Sequence, residues 1–293
     1  KEVQKAQKAI EAGTCPLDDA YIQENLSTYT STYKTAKVYE QIEKVMDVAK
    51  TAAAVLLSFA ATILLICVVS STPLATVKDF FLGPFASVRR IGNIVEMAIP
   101  ILFTSCAICI MYSTGHINMG TSGCFYMGGL AASAVAFGVR LIPGLHPAAC
   151  MLFGGLVGAL IAAIPAVLRI RWDINEVVSS LMVNYIVVYF GTWLLRTFML
   201  DPQAGFNASK AYEKSATLPI LLPGTRIHVG LILSVAVVVF SYLFLKKTKW
   251  GYQIRMMGYN SSFAVYSGMG VTGILLLSQM LGGFIAGLGG ATE

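Results

Sequence analysis

From residue 51 to its end, the chain alternates long apolar runs with short polar interruptions. Because about 20 apolar residues cross the hydrocarbon of a bilayer, the pattern predicts spans at 51–71, 94–113, 118–139, 147–168, 177–197, 227–245 and 268–290. Residues 1–50 follow a different pattern. Val38, Ile42, Val45 and Ala49 recur at helical spacing while charged residues fill the other faces, which predicts an amphipathic helix lying on a membrane surface. The expected fold is all-α. It is a polytopic transmembrane bundle of at least seven spans with broken helices (51–293), preceded by an N-terminal amphipathic helical segment (1–50). The last run ends at Gly290-Ala291-Thr292-Glu293 with no polar segment to close it, so further spans are expected beyond it.

Composition agrees with the pattern. The 293 residues are 56% hydrophobic and 12% charged, with a mean hydropathy of +0.70, against about 25% charged in soluble domains. Charge is also unevenly placed. Residues 1–50 hold 7 of the 21 basic and 8 of the 15 acidic residues, so the apolar body carries 14 basic against 7 acidic residues, a net of +7. Basic residues there fit loops beside anionic lipid. No basic run is interleaved with aromatics, which argues against a nucleic-acid partner. The stretch 246–266 carries Lys246, Lys247, Lys249 and Arg255 without an acid, whereas 198–226 mixes both signs. By the positive-inside rule the first is cytoplasmic, and so is the N-terminus. Five of the six cysteines fall in or beside apolar runs, as helix-packing residues rather than a disulfide framework. Cys106 and Cys109 have no His or second pair nearby, so no metal site is expected.

Catalytic patterns are missing: there is no H-E-x-x-H, no G-x-S-x-G and no P-loop. The chain is expected to be no enzyme and to hold no cofactor. His116, His146 and His228 stand singly near span ends and read as solvated. No span carries an acid near its centre, which argues against a proton-coupled carrier.

Three stretches invite a functional reading. The first is Thr114–Gly123, an uncharged, glycine-broken segment between apolar runs. Non-helical backbone at that depth is tolerated only inside protein or along a wet cavity, so Asn118, Thr121 and Ser122 could meet a polar substrate. A tight polar turn at the inner surface is the equal alternative. The second is the span 177–197, where Ser180 and Asn184 share a face, and Tyr185, Tyr189 and Trp193 form another line. Asn184 could bond a ligand while a tyrosine stacks on a flat ring; alternatively it bonds a neighbouring helix, and Trp193 belongs to the interfacial belt. The third is the basic loop 249–268, with Phe263 and Tyr266 as an apolar edge for a soluble partner. Taken alone, it reads as an ordinary inner loop.

At these three places the chain resembles the permease subunits of ABC importers for nucleosides and simple sugars, within the larger permease group serving ribose and branched-chain amino acids. The family pattern phenylalanine-Asn-Ile-Gly-x-Glu-Gly-Gln resembles residues 117–124: Asn118, Gly120 and Gly123 match, while Ser122 and Cys124 depart from the Glu and Gln. The pattern Asn-Glu-Val-x-Ser-x-x-Met-x-Asn-Tyr resembles 175–185 without departure. The loop pattern Gly-x-x-x-Arg-x-x-Gly-x-Asn resembles Gly251, Arg255, Gly258 and Asn260, followed by Ala264 and Gly268. The resemblance covers 50–293.

It implies a multi-pass permease of the bacterial plasma membrane, carrying a nucleoside (a purine nucleoside first) or a sugar such as ribose or galactose. Asn118, Ser122, Asn184 and Tyr185 would lie on the substrate path. Gly251, Arg255, Gly258, Asn260, Ala264 and Gly268 would form the segment coupled to a cytoplasmic ATPase. A second permease subunit and an extracytoplasmic substrate-binding lipoprotein are the other implied partners. A stand-alone secondary carrier is the alternative from another class.

Overall fold

The computed structural model describes residues 19–138, 142, 144–201, 209, 212, 217–222 and 224–293, with side chains described from residue 42 onward except 43 and 44. Residues 1–18 of the expected amphipathic segment, and much of the 198–226 stretch, lie outside the described residues. The chain divides into two compact units, 1–82 and 83–293.

In the first unit, α1 (Asp19–Val69) runs unbroken for 51 residues. The expected boundary at residue 50 is therefore not a break in the backbone. The polar arm feeds directly into the first span, because nothing between Asp47 and Val55 is a helix breaker. Its apolar part, Val45–Val69, is long enough to cross a membrane. Pro73 then opens α2 (Pro73–Leu82), where its missing N–H leaves no bond unmade. Phe59 meets Phe81 at 5.7 Å between ring centroids, folding α2 back on α1.

The second unit holds a short 3₁₀ turn (Gly83–Phe85), then α3 (Val88–Tyr112), α4 (Thr121–Gly138), α5 (Leu145–Trp172) and α6 (Glu176–Leu194). α6 runs on into a π-helical turn (Leu195–Met199). After it come α7 (Gly230–Lys247), α8 (Lys249–Tyr259), α9 (Ser261–Tyr266) and α10 (Val271–Thr292). The described residues contain no strand, only the isolated bridges Leu200 with Ser209 and Ile220 with His228. The protein is an all-α, multi-pass membrane bundle. Each of the seven expected spans falls on a helix, and six described helices are long and apolar enough to cross a membrane. α4, on the expected 118–139 span, is the seventh: 18 residues with glycines, serines and a threonine among its apolar side chains.

Helix α10 is the centre of this unit. Half of its apolar window is buried, and it packs chiefly on α5, α4 and α3. Glycines make that possible. A Cβ on Gly287 would overlap the Gly154 carbonyl, and one on Gly128 would lie 2.5 Å from the Gly287 Cα. In lipid, where apolar burial does not drive helices together, such close backbone approach supplies the packing energy. Around this contact Ile99, Phe103, Ile110 and Met111 of α3 join Ile254 and Met257 of α8, Ala264 of α9, and Ile274 and Ile285 of α10 in one buried cluster.

Candidate functional site

The segment Ser113–Gly120 leaves α3 and enters α4 without helical structure, as its glycines predict. Its residues differ in burial: Gly115, Ile117 and Met119 are exposed, whereas its polar side chains turn inward. Thr114 and Asn118 are each 1% exposed. Asn118 is held at both ends: its Oδ1 accepts the Gly120 N–H at 2.8 Å, and its Nδ2 donates to Gln279 Oε1 of α10 at 2.9 Å. The first bond is an Asx-type turn that starts α4; the second ties the loop to the central helix.

One residue on, the Met119 N–H donates to Ser180 Oγ of α6 at 3.0 Å. The Ser122 hydroxyl donates to Asn184 Oδ1 at 2.9 Å, and the hydroxyls of Tyr126 and Thr192 lie 3.3 Å apart. Ser122 and Tyr126 of α4 and Ser180, Asn184 and Thr192 of α6 recur at helical spacing, with Met119 just ahead of α4, so the two helices share one uncharged polar seam. Gly123 sets its width. A Cβ there would come within 2.8 Å of Asn184 Oδ1, so the missing side chain lets α6 approach near enough for Ser122 to reach it. Ser122 is exposed and Asn184 half-buried. Tyr185 and Tyr189 project from α6 at 59% and 75% exposure.

His116 does not stand alone, contrary to the reading of the three histidines as solvated. Its Nδ1 lies 3.0 Å from Glu176 Oε2, and that carboxylate is almost wholly buried. His146 is not solvated either: it is fully buried in the first turn of α5. Glu176 opens α6 behind Asn175, whose Oδ1 accepts the Val177 and Val178 N–H groups at 3.0 and 3.4 Å. An acid in the first turn of a helix complements the helix dipole. Neither the His116–Glu176 pair nor Gln279 was singled out by sequence. Gln279 is the one amide in the last apolar run, a signal that was available.

The 249–268 stretch forms two short helices with defined roles for its residues. Gly251 sits at the tight junction of α7 and α8, where a Cβ would overlap the Phe244 carbonyl; its N–H is capped by Thr248 Oγ1 at 3.0 Å. Asn260 caps α9, its Oδ1 accepting the Phe263 N–H at 2.9 Å. Ala264 is fully buried. Gly268 takes φ +75°, a conformation that turns the chain into α10. Gly258 packs backbone to backbone on Ser113 and Gly115, where a Cβ would overlap the Ser113 carbonyl. Arg255 lines a cleft of about 300 Å³ with Tyr112, Ser113, Gly115, Gly258 and Tyr259. The basic segment therefore touches the start of the loop that carries Asn118 and leads to Ser122. No group of three His, Cys, Asp or Glu among the described residues is arranged to hold a metal.

Residues 90–293 match the family described as branched-chain amino acid transport system, permease component. A glucose ABC transporter permease protein of Haloferax volcanii is 32% identical over 73% of this chain and 59% of its own length. A guanosine ABC transporter permease protein of Bacillus subtilis is 25% identical over 82% of this chain and 70% of its own. A nucleoside ABC transporter permease protein of Lactococcus lactis subsp. cremoris is 26% identical over 74% and 62%. The chain thus spans about six to seven tenths of the length of these relatives. No solved structure matches it significantly.

Proposed function

The chain belongs to the permease-component family of the branched-chain amino acid transport systems, and from that premise we propose that it is the membrane subunit of an ATP-binding-cassette importer whose substrate is a nucleoside. It performs no chemistry itself. A separate cytoplasmic ATPase supplies the energy, a second permease subunit completes the path, and an extracytoplasmic binding lipoprotein delivers the substrate. The N-terminus and the α8–α9 segment face the cytoplasm of a bacterial cell.

One observation carries this reading: the close contact of Gly258 in α8 with Ser113 and Gly115. An importer of this class has to convert a push on a cytoplasmic segment into a change at the substrate path, and packed backbone transmits displacement without slack. The uncharged seam suits a neutral, polar substrate. Ser122 and Asn184 offer hydrogen-bonding groups, and the exposed rings of Tyr185 and Tyr189 offer faces on which a base could stack. The guanosine and nucleoside ABC transporter permease relatives support that choice. A simple sugar is the second reading, favoured by the 32% identity to the glucose permease.

The test is uptake by the full chain reconstituted in vesicles with its partner subunits. Labelled guanosine should accumulate only with ATP on the ATPase side, and unlabelled adenosine should compete where ribose and glucose do not. Competition by the sugars alone would favour the second reading. Uptake driven by an ion gradient without ATP would replace both with a secondary carrier.

A further inference from the structure

The hydroxyl hydrogens along the α4–α6 seam are spent inside the protein. Ser180 Oγ donates to the Val177 carbonyl at 3.0 Å, and Thr192 Oγ1 donates to the Val188 carbonyl at 2.8 Å. With the Thr192 hydrogen used, the 3.3 Å contact between Tyr126 and Thr192 has the tyrosine as donor. Ser122 differs from Ser180 and Thr192. It lies in the first turn of α4, where the residue four back, Asn118, is outside the helix, so its hydrogen goes across to Asn184 Oδ1 at 2.9 Å. That bond fixes the amide. Its oxygen faces α4, and Nδ2, with two N–H groups, makes no bond to another described residue. The hydroxyls of Tyr185 and Tyr189 can donate or accept and so discriminate nothing. Among the described residues, Asn184 Nδ2 is the one donor-only side-chain group of the seam. It stands about 12 Å along α6 from Glu176, near the middle of a hydrocarbon layer about 30 Å thick. A polar group at that depth faces a water-filled cavity or other protein rather than lipid.

We infer that Asn184 selects the base of the transported nucleoside, favouring bases that present a carbonyl oxygen, as hypoxanthine and guanine do, over adenine, which presents an amino group at the same ring position. This rests on the nucleoside reading above and names the substrate class within it. With the base stacked on an α6 tyrosine, its carbonyl meets Nδ2 as acceptor to donor. The neighbouring ring N–H then meets Ser122 Oγ, whose lone pairs remain open. Adenine in the same pose sets amino hydrogens against amide hydrogens and leaves both unpaired. Leaving a site's polar group unpaired is how a hydrogen-bonding site rejects an analogue. Ser122 has a positioning role in this selection. By holding Oδ1 toward α4 at 2.9 Å, it denies the amide the turn that would offer its oxygen to the adenine amino group.

The experiment measures ATP-driven uptake of labelled inosine and of labelled adenosine by the full chain reconstituted in vesicles with its partner subunits. The readout is the ratio of the two kcat/KM values, inosine over adenosine. The same binding lipoprotein serves every variant, so its own preference cancels against wild type, and a ratio does not depend on how much of a variant folds. Asn184→Leu should lower the ratio by about tenfold through loss of inosine uptake. Ser122→Ala should lower it severalfold by the opposite route, a gain of adenosine uptake, because the released amide can turn its oxygen outward. Ser122→Thr keeps the hydroxyl and should keep the ratio. A ratio that neither Asn184→Leu nor Ser122→Ala changes overturns the inference. So does an Asn184→Leu loss equal for the two nucleosides, which would return the residue to helix packing. Failure of the wild-type protein to take up either nucleoside with ATP present would instead refute the nucleoside reading itself.

Discussion

A Cβ built on Gly115 would stand 3.4 Å from the Gly258 Cα, and one built on Gly258 would overlap the carbonyl of Ser113, two residues before Gly115. The polar loop and the basic segment are therefore in contact through backbone alone. Such a contact has little room to adjust, because no flexible side chain lies between the two to absorb a shift.

Enlarging Gly258 tests that contact. Gly258→Val should push α8 away from Ser113 and lower transport by at least about tenfold, while ATPase binding persists, if displacement enters here. Gly115→Ala should act differently. Its φ of +77° is a left-handed conformation, which costs a side chain about 1–2 kcal/mol, so the variant should unfold at a lower temperature. Uptake normalised to folded protein, together with thermal unfolding in detergent, separates the two effects.

The bond from Asn118 to Gln279 joins residues 161 positions apart. Side-chain hydrogen bonds between membrane helices contribute about 0.6–2 kcal/mol. Asn118→Leu and Gln279→Leu should each lower unfolding stability. Asn118→Leu should cost more, because it also removes the cap on Gly120 at 2.8 Å. The double variant should be less destabilised than the sum of the two, since both remove the same bond. Strict additivity would show that the two amides act independently.

What was legible in the sequence follows from the range of each signal. All seven apolar runs fell on helices because span length and hydropathy are local properties. The break between α3 and α4 was legible because glycines weaken a helix locally, although Thr121–Gly123 of the expected stretch already belong to α4. At residue 50 the sequence marks a change from polar to apolar residues, and such a change does not interrupt helical hydrogen bonding, so α1 runs through it. The pairs His116 with Glu176 and Asn118 with Gln279 depend on which helices become neighbours, and no spacing in the chain encodes that. Ser180 and Asn184 share a face by spacing alone; that Met119 and Ser122 would meet them required the packing of α4 on α6.

The polar seam makes a graded prediction. Asn184→Leu removes the acceptor for Ser122 and the amide donors together, and should cut uptake severalfold at normal membrane levels. Ser122→Ala removes one hydroxyl and leaves Asn184 able to meet substrate, so its effect should be smaller. Initial rates over a range of substrate concentrations should show both as a raised KM. Unchanged uptake for Asn184→Leu would return that residue to helix packing.

Two glycines of α10 should respond in opposite ways to the same substitution. Gly287 faces Gly154, and even an alanine Cβ would overlap the opposing carbonyl. Gly287→Ala must therefore separate α10 from α5, at a cost of about 1–3 kcal/mol typical of overpacking, and should lower the thermal midpoint by several degrees. At Gly273 a methyl group would meet no other atom within 4 Å. Alanine is the better helix former by about 1 kcal/mol, so Gly273→Ala should leave the midpoint unchanged or raise it. Parallel loss in both variants would mean that the open side of α10 is covered in the assembled transporter.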